Sequence, residues 1–334
     1  MGLKEERAGL DSGVAGGRTR RDGEHTTVTG AGPDLGGKRE VGRPAEELES
    51  GRLAEELAGV ADAYGGTGPT MLHPTRTDVV VLRRGEVVVK AHSRRDDVES
   101  LRPRLRAVAS AALSGVMLAP LEPEVLSVAG RAVTVWPAGR PVAHDDPDGA
   151  PWEAGARLLA RLHAVPLTLV PALPAAGGPA RAARAVRRMS GDGPVERLVR
   201  RTFEELPEPE PLLPGLLTHG DWHLGQLVHR DRWLLIDVDD LGIGDPAWDL
   251  ARPAAWFAAG LLDPAVWNRF LGAYLASGGP ALGGDDPWRR LDLPARALTV
   301  QLAAVAVVNA EREGRELDEV EHSLIESCNR IVRA

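Results

Sequence analysis

The sequence predicts an α+β protein in which a small, strand-rich N-terminal lobe precedes a larger helical C-terminal lobe. β-Branched runs flanked by tight turns mark the chain up to residue 136, whereas helical spacing of apolar residues dominates from residue 151 onward. Between these regions, residues 137–150 contain several prolines and glycines. Such a composition is typical of a connection, so we predict a linker between the two lobes there.

The N-terminal lobe is predicted to span residues 44–136, after a tail. Residues 1–43 hold eleven glycines and few large apolar side chains, so we expect this tail to be disordered. Residues 44–63 begin with a proline and carry apolar side chains at near-helical spacing, namely Leu48, Leu53, Leu57 and Val60. The lobe is therefore expected to open with an amphipathic helix.

Two hairpins are predicted in the rest of this lobe. Apolar runs at 79–82 and 87–90 flank a polar turn, and runs at 124–128 and 131–136 flank an Ala-Gly turn. A helix is predicted between the hairpins, over residues 95–111. The lobe is therefore strand-rich, with one internal helix.

The C-terminal lobe, residues 151–334, is dominated by helical patterns. Helices are predicted at 152–164, 178–189, 194–205, 246–259, 263–276, 287–310 and 314–332. The exception is one short hairpin, with strands near 226–228 and 233–236 around a polar turn. This lobe is therefore helical apart from a small β region.

Composition and charge exclude several classes of protein. The 334-residue chain is 26% charged and 43% hydrophobic, which is ordinary for a globular protein. Its formal net charge of −8 argues against a sequence-blind nucleic-acid binder. The single cysteine, Cys328, excludes disulfides and multi-cysteine metal sites, and it favours a reducing cytoplasm. The longest mostly apolar stretch, residues 297–310, is too short for a membrane span and predicts a buried helix.

One lysine stands out against the basic residues of the chain. Of forty lysines and arginines only three are lysine, and Lys90 is the one that falls in the folded region. Lysine is a compact point charge on a flexible stem, whereas arginine is planar and larger. A lysine retained against such a bias is a candidate for a role that arginine cannot fill.

Chemistry-bearing residues concentrate in the segment 217–251. Gln226 lies five residues after Asp221, and a short predicted hairpin leads from there to Asp237. Because a hairpin brings its two ends together, we expect these three side chains to converge. Two carboxylates and an amide oxygen suit magnesium better than zinc.

These residue types match the requirements of phosphoryl transfer. The reaction needs a carboxylate at the nucleophile, oxygen ligands for a metal, and a cation on the nucleotide phosphates. Lys90 ends a strand of the other lobe and would supply the cation. The order lysine, aspartate, amide, aspartate is also the order found in protein kinases.

The segment resembles the aminoglycoside phosphotransferase family of kinase-like enzymes. The family signature is His-Gly-Asp, four residues, Asn, then Ile-Asp and a later Gly-Asp-Pro-x-x-Asp-Leu-Ala. The matching stretches here are HGDWHLGQ at 219–226, ID at 236–237 and GDPAWDLA at 244–251. The resemblance extends over most of 70–330. It implies a bilobal protein-kinase-like fold and a small-molecule phosphotransferase that uses Mg²⁺ and ATP or GTP.

The resemblance also implies roles for individual residues. Asp221 would act as the base at the acceptor hydroxyl, Gln226 and Asp237 would hold magnesium, and Lys90 would contact the nucleotide phosphates. The family usually has asparagine where this chain has Gln226. His-Leu-Gly-Gln at this place also resembles the actinobacterial maltokinases, which makes a sugar kinase an alternative reading of the substrate.

Further nucleotide-site residues are expected in the N-terminal lobe. Asp97 aligns best with the helix acid that pairs with the lysine in the family, and Glu99 is its rival. The loop Leu72–Asp78, which would cover the nucleotide, has no glycine. Trp136 ends the strand before the linker, where a kinase-like hinge binds adenine. Core packing accounts for Trp136 equally well.

Several residues of the segment also have structural interpretations. We expect His219 to brace its loop rather than act as a base. Asp245 and Asp249 flank a predicted helix start, so capping and bracing are the expected roles. A hydrolytic metal triad of His219, Asp221 and His223 is the alternative, but Gly220 favours a loop there and no further histidines complete a site.

Two acidic residues, Asp239 and Asp240, are either spare metal ligands or, as is commoner, solvated acids. The expected partner is a small hydroxylated substrate, with neither nucleic acid nor membrane, and the expected assembly is a monomer or weak dimer. A kinase-like binding module without turnover is the alternative to an enzyme. Acceptor contacts are expected from the C-terminal helices, for example from Arg252, Trp256, Asp263, Trp267 and Asp286.

Overall fold

The computed structural model describes residues 43–73, 78–143, 149–209, 215–283 and 286–333, with side chains from residue 51 onward. The predicted tail therefore lies outside the described residues, except for Arg43. Helix α1 (Arg43–Ala63) coincides with the predicted leading helix. Its residues Leu53 and Leu57 are buried, as their helical spacing predicts.

Five antiparallel strands form the sheet of the N-terminal lobe, in the order β1-β2-β3-β5-β4. They are β1 (Thr70–His73), β2 (Val80–Arg84), β3 (Val87–Ala91), β4 (Leu126–Val128) and β5 (Arg131–Pro137). Both predicted hairpins are present. β1 was not predicted, because all four of its residues are exposed and leave no apolar alternation to read. The first two residues of the expected Leu72–Asp78 loop belong to β1. Residues 74–77 of that loop lie outside the described residues.

Alternation along β3 decides which way Lys90 faces. Val87 and Val89 are buried on one face of the sheet, in a cluster with Leu57 of α1. Because successive side chains of a strand point to opposite faces, Val88 and Lys90 share the other face. Val88 packs against the large apolar cluster that joins α2 to the helices of the C-terminal lobe. The sheet therefore presents Lys90 toward that lobe.

All seven helices predicted for the C-terminal lobe are present, and α2 (Val98–Ala109) is the internal helix of the first lobe. The seven are α3 (Trp152–His163), α4 (Gly178–Arg188), α5 (Pro194–Glu204), α6 (Ala247–Ala258), α7 (Pro264–Ala276), α8 (Trp288–Glu313) and α9 (Glu319–Arg333). Cys328 of α9 is fully buried in an apolar cluster, and burial raises the pKa of its thiol to about 12. Cys328 is therefore a core residue.

Two small sheets lie beside these helices. β6 (Arg140–Pro141), β8 (Leu227–His229) and β9 (Trp233–Leu235) form one, and β7 (Leu216–Thr218) pairs with β10 (Gly242–Gly244) in the other. The β8–β9 hairpin was predicted, but β6, β7 and β10 were not. Each has only two or three residues, and its pairing partner is distant in sequence. β6 lies inside the predicted linker and pairs with β8, while linker residues 144–148 lie outside the described part.

α8 is a core helix that contains the apolar stretch 297–310. Within the described residues, it is the one helix long and apolar enough to cross a membrane by length and composition. However, 67% of its apolar window is buried inside the protein. It packs against α4, α6 and α9. The prediction of a buried helix over this stretch is confirmed.

Candidate active site

The loop His219–Asp221 follows β7 and leads into a 3-10 turn, Leu224–Gln226, at the start of the β8–β9 hairpin. Gly220 has a φ of +86°, and a Cβ there would lie 2.2 Å from the backbone oxygen of Asp240. Glycine is therefore required at this position. His219 Nε2 donates to the backbone oxygen of Ile236 at 2.8 Å, which ties the loop to the end of β9. This contact confirms the bracing role expected for His219.

The carboxylate of Asp249, at the start of α6, binds the backbone of the same loop. It is fully buried and accepts the backbone N–H groups of His219 at 2.6 Å and Gly220 at 2.8 Å. His163 Nε2 lies 2.9 Å from the same carboxylate. Burial acts to raise the pKa of Asp249, but the histidine contacts outweigh it and lower this pKa. The ionised Asp249 carboxylate therefore stabilises the folded protein at neutral pH. This stabilisation is lost in acid, as the pH falls through the lowered folded-state pKa of Asp249.

We expect Asp249→Ala to lower the free energy of unfolding by about 3–5 kcal/mol, because it leaves buried donors without an acceptor. Denaturant unfolding monitored by circular dichroism measures the change. Asp263→Ala is the matched control: Asp263 caps α7 from an exposed position, and its loss should cost about 1 kcal/mol. Equal losses in the two variants would contradict the bracing role.

Asp245 has the second structural role that was expected near this helix. Its Oδ1 accepts the backbone N–H of Ala247 at 2.9 Å, and its Oδ2 pairs with Arg290 at 2.8 Å. The first contact caps the start of α6, since a carboxylate is a good acceptor for the free N–H groups of a helix N-terminus. The second ties α6 to α8. Capping and bracing are confirmed for Asp245.

Asp221 is held by two arginines from different helices. Arg181 of α4 contacts its Oδ2 at 2.6 Å, and Arg252 of α6 contacts its Oδ1 at 2.9 Å. The carboxylate is 16% exposed. Arg181 also pairs with Asp240 and interacts electrostatically with Asp237. The carboxylate therefore has a fixed orientation at the tip of the loop.

Lys90 reaches across from β3 to two carboxylates that follow β9. Its Nζ lies 2.9 Å from Asp237 Oδ1 and 2.7 Å from Asp239 Oδ2. Burial acts to lower the pKa of Lys90, but the two carboxylates outweigh it and raise this pKa. The ammonium group is therefore charged at neutral pH. It connects the sheet of the first lobe to the hairpin of the second.

Of the three side chains expected to converge, Gln226 and Asp237 meet at the mouth of the β8–β9 hairpin. Asp221 contacts neither of them and pairs with arginines instead. Gln226 Nε2 lies 3.2 Å from Asp237 Oδ2. Asp237 adopts a left-handed conformation with a φ of +70°, which is uncommon for a residue with a side chain. Amide nitrogen and oxygen positions interchange by rotation of the side chain, so the pair offers carboxylate and amide oxygens. This donor set fits magnesium, which prefers oxygen ligands.

Asp97 does not pair with Lys90, so the predicted role of Asp97 as the helix acid beside the lysine is wrong. α2 begins at Val98, which makes Asp97 its N-cap, with the carboxylate accepting the backbone N–H of Glu99 at 3.1 Å. An N-cap carboxylate turns toward its own helix rather than across the lobe. Glu99 is exposed and pairs with Arg102 at 3.6 Å, so the rival assignment also fails. Neither acid contacts Lys90 or the hairpin.

The acid partner of Lys90, besides Asp237, is Asp239. This residue is not a solvated acid, and neither is Asp240, which pairs with Arg181 and with Arg184 at 3.5 Å. Asp239 also lies 3.3 Å from His92 Nδ1. Burial acts to raise the pKa of Asp239, but Lys90 and His92 outweigh it and lower this pKa.

The alternative metal triad of His219, Asp221 and His223 is not assembled. His219 Nε2 and both oxygens of Asp221 have other partners, and His223 Nδ1 accepts the backbone N–H of Gly225 at 3.0 Å. Burial, followed by nearby Arg252, lowers the pKa of His223 to about 3. Among the described residues, the triad of ligands close enough for one ion is instead His92, Asp96 and Asp239.

Trp136 of β5 packs in the large apolar cluster that spans α2 and the C-terminal helices, with 8% of its surface exposed. Its Nε1 donates to Thr134 Oγ1 at 2.8 Å. Of the two roles expected for Trp136, core packing is therefore the one that the structure shows. Contact with adenine stays a prediction for this position.

Sequence reasoning missed Arg181 altogether. It considered Asp239 only as a spare metal ligand or a solvated acid and missed its contact with Lys90. Arg181 belongs to an arginine-rich helix in a chain whose basic residues are nearly all arginine, so nothing in the sequence distinguishes it. Asp239 lies two residues after the predicted metal ligand, and its orientation depends on the left-handed backbone at Asp237. Of the acceptor-contact candidates, Arg252 is the one that touches Asp221.

We expect Lys90→Arg to keep the fold but to slow the phosphoryl transfer that the family resemblance implies by about tenfold or more. The Lys90 side chain is only 17% exposed and sits between two carboxylates, which leaves little room for a planar head group. A turnover assay and a thermal melt together measure the effect. Arg83→Lys on neighbouring β2 is the control, since Arg83 contacts its own hairpin turn, at Gly85 O (2.9 Å) and Glu86 (3.6 Å). Near-normal turnover of Lys90→Arg would refute the point-charge argument.

The sequence was compared with models of protein families and with curated proteins. A model of the phosphotransferase enzyme family matches residues 75–293, about two thirds of the chain. A search among curated proteins finds no significant match.

Solved structures share the fold at low sequence identity. A choline/ethanolamine kinase family protein from Mesorhizobium loti is 16% identical over 85% of this chain and 95% of its own, with a TM-score of 0.57. The choline kinase LicA from Streptococcus pneumoniae is 12% identical over 86% and 99%, with a TM-score of 0.57. A thermostable mutant of the aminoglycoside phosphotransferase APH(4)-Ia, in a ternary complex with AMP-PNP and hygromycin B, is 17% identical over 83% and 97%, with a TM-score of 0.54.

These neighbours confirm the protein-kinase-like α+β fold expected from the sequence. The expected enzyme class, a small-molecule phosphotransferase, is likewise confirmed. Because the family match spans more than half of the sequence and includes the whole loop-and-hairpin segment, this chain belongs to the phosphotransferase enzyme family.

Proposed function

We propose that this phosphotransferase moves the γ-phosphate of a nucleoside triphosphate, ATP or GTP, to a hydroxyl of a small molecule in a magnesium-dependent reaction. The observation that carries the proposal is the meeting of Lys90, Asp237 and Gln226 across the two lobes, at 2.9 Å and 3.2 Å. A lysine from a sheet beside a carboxylate–amide pair is the arrangement that phosphoryl transfer requires on the nucleotide side.

Each residue then has a distinct task. Lys90 binds the nucleotide phosphates as a point charge, and Asp239 keeps its ammonium group in place. Asp237 and Gln226 would hold magnesium, which supplies charge neutralisation at the transferring phosphoryl group. Asp221 orients the acceptor hydroxyl and takes its proton. Arg181 and Arg252 fix the orientation of that carboxylate.

The ligands of related structures support the donor and the kind of acceptor. One neighbour is an aminoglycoside phosphotransferase bound to AMP-PNP and hygromycin B, and others are choline kinases. A nucleotide donor and a small hydroxylated acceptor are therefore consistent with the family. A sugar, as in the maltokinases, stays an alternative acceptor.

The proposed cellular setting is the cytoplasm, and the proposed assembly is a monomer or weak dimer. The single cysteine is buried, which is consistent with a reducing compartment. Neither nucleic acid nor membrane is a proposed partner.

A transfer assay tests the proposed function. The purified chain is incubated with ATP or GTP, with magnesium or with chelator, and with a panel of sugars, hydroxy acids, aminoglycosides and choline. Mass spectrometry should detect one class of phosphorylated product, formed only with magnesium and at least about a hundredfold more slowly with Asp221→Asn. Nucleotide-dependent thermal stabilisation without turnover on any compound would favour the alternative, a kinase-like binding module.

A further inference from the structure

Two buried polar side chains, His92 and Thr134, lie next to Lys90 on the same face of the N-terminal sheet. His92 follows Lys90 by two residues just beyond the end of β3, and its backbone N–H continues the pairing of β3 with β5. Thr134 of β5 lies directly opposite Lys90 in the strand register. His92 is 1% exposed and Thr134 is fully buried. The lysine that would bind the nucleotide phosphates therefore has a polar, solvent-excluded neighbourhood.

A chain of hydrogen bonds decides where the hydrogen of the His92 ring lies. Trp136 Nε1 donates to Thr134 Oγ1 at 2.8 Å, and His92 Nε2 lies 2.9 Å from the same oxygen. An indole N–H can only donate, so of these two partners the histidine is the one that can accept the hydroxyl hydrogen of Thr134. A buried hydroxyl needs an acceptor, and Nε2 supplies it. The ring is then neutral, with its single hydrogen on Nδ1.

The Nδ1 side of the ring faces the carboxylate that holds Lys90. Nδ1 lies 3.3 Å from Asp239 Oδ1, while Asp239 Oδ2 lies 2.7 Å from Lys90 Nζ. Oδ1 is buried and has no well-aligned hydrogen bond within the described residues. Buried carboxylate oxygens nearly always have a donor, and a small rotation of the ring or of the carboxylate would align Nδ1–H with Oδ1. The lowered pKa of Asp239, to which His92 contributes, agrees with such a donor.

We propose that His92 is a positioning residue of this phosphotransferase: its Nδ1–H orients Asp239, and Asp239 in turn directs Lys90 at the nucleotide phosphates. This inference rests on the proposed function. Asp237 is also a proposed magnesium ligand, so Asp239 is the acid that stays free to hold the ammonium group. Thr134 keeps the histidine in the required tautomer. His92 acts through two other side chains and does not itself touch the reacting groups.

Nitrogen-15 NMR of the histidine side chains measures the tautomer directly, in the full chain and without nucleotide. The His92 signals are assigned by their absence from His92→Asn. We expect a protonated Nδ1 and an unprotonated Nε2. Thr134→Val removes the hydroxyl at nearly the same shape and should shift the Nε2 signal, because its hydrogen-bond donor is lost. Thr134→Ser keeps the hydroxyl and should leave that signal in place.

Substitutions of His92 supply the second arm, with nucleotide affinity measured by calorimetry. Asparagine brings its amide N–H near the place of Nδ1, whereas glutamine reaches toward the place of Nε2. His92→Asn should therefore retain the affinity for ATP. His92→Gln should lower it by about fivefold or more, with magnesium and with chelator alike, because the effect passes through Lys90. In the Asp239→Asn protein, His92→Gln should cause no further loss.

The matched control is His322→Gln, since His322 is exposed on α9. Its nucleotide affinity should equal that of the unmodified protein. A thermal melt of every variant reports any loss of folding, and Thr134→Val still tests the hydrogen-bond chain if His92→Gln does not fold.

Several outcomes would overturn the inference. One is a protonated Nε2 with an unprotonated Nδ1, a form that suits a cation held by His92, Asp96 and Asp239 instead. Another is an equal loss of ATP affinity in His92→Asn and His92→Gln, or a loss that adds to that of Asp239→Asn, as a purely structural role predicts. The expected binding pattern without transfer to any acceptor would instead contradict the proposed function and leave the positioning role standing.

Discussion

Asp221→Asn should lower phosphoryl transfer by about 10²–10⁴-fold, because a positioned proton acceptor is worth that much. The substitution keeps the shape of the side chain at the tip of the His219–Asp221 loop and removes only the charge. Lys90, Gln226 and Asp237 do not contact Asp221 in the described residues, so magnesium–nucleotide affinity should survive. Single-turnover assays measure the transfer, and calorimetric titration of magnesium–ATP measures the binding.

The matched control for this variant is Asp263→Asn, since Asp263 is an exposed cap of α7 with no contact to the loop. It should retain full activity. Asp221→Asn carries its own risk, because it leaves Arg181 and Arg252 without their carboxylate partner. A thermal melt separates that structural effect from the chemical one. A fully active Asp221→Asn protein would mean that this loop is not catalytic.

Asp237→Asn should weaken magnesium-dependent nucleotide binding by at least about tenfold, because a charged oxygen ligand is lost. The same change removes one of the two carboxylates around Lys90. Titration of ATP with magnesium and with chelator separates the metal-dependent part of the affinity. Most of the loss should depend on magnesium, and the part of it that acts through Lys90 should remain in the presence of chelator.

The two aspartates are thus assigned different roles, and the pair of titrations tests that division. Equal loss of magnesium–ATP affinity in both variants would show that Asp221 also holds the metal. Asp239→Asn provides a further comparison, since Asp239 contacts Lys90 without contacting Gln226. It should weaken ATP binding with and without magnesium alike, because it acts through Lys90.

Much of the fold was predictable because the relevant signals are local. Helical spacing along α3 to α9 and β-branched runs along β2, β3 and β5 indicate which kind of element each segment forms. Gln226 and Asp237 were also predictable as neighbours, because the β8–β9 hairpin is short and brings its ends together. The brief strands β6, β7 and β10 carried no such signal, since their pairing depends on strands distant in the chain.

The sequence by itself determined the α+β order of elements, the loop with Asp221, and the carboxylate–amide pair with Lys90 opposite. Only the tertiary structure decided which charges complete the site. Whether Asp97 or Asp239 reaches Lys90 depends on where α2 starts and on the left-handed turn at Asp237. Whether Arg181 or any other arginine of the chain meets Asp221 depends on how α4 packs against α8 and the loop. Charge partners form through space between distant segments, so local patterns in the sequence do not specify them.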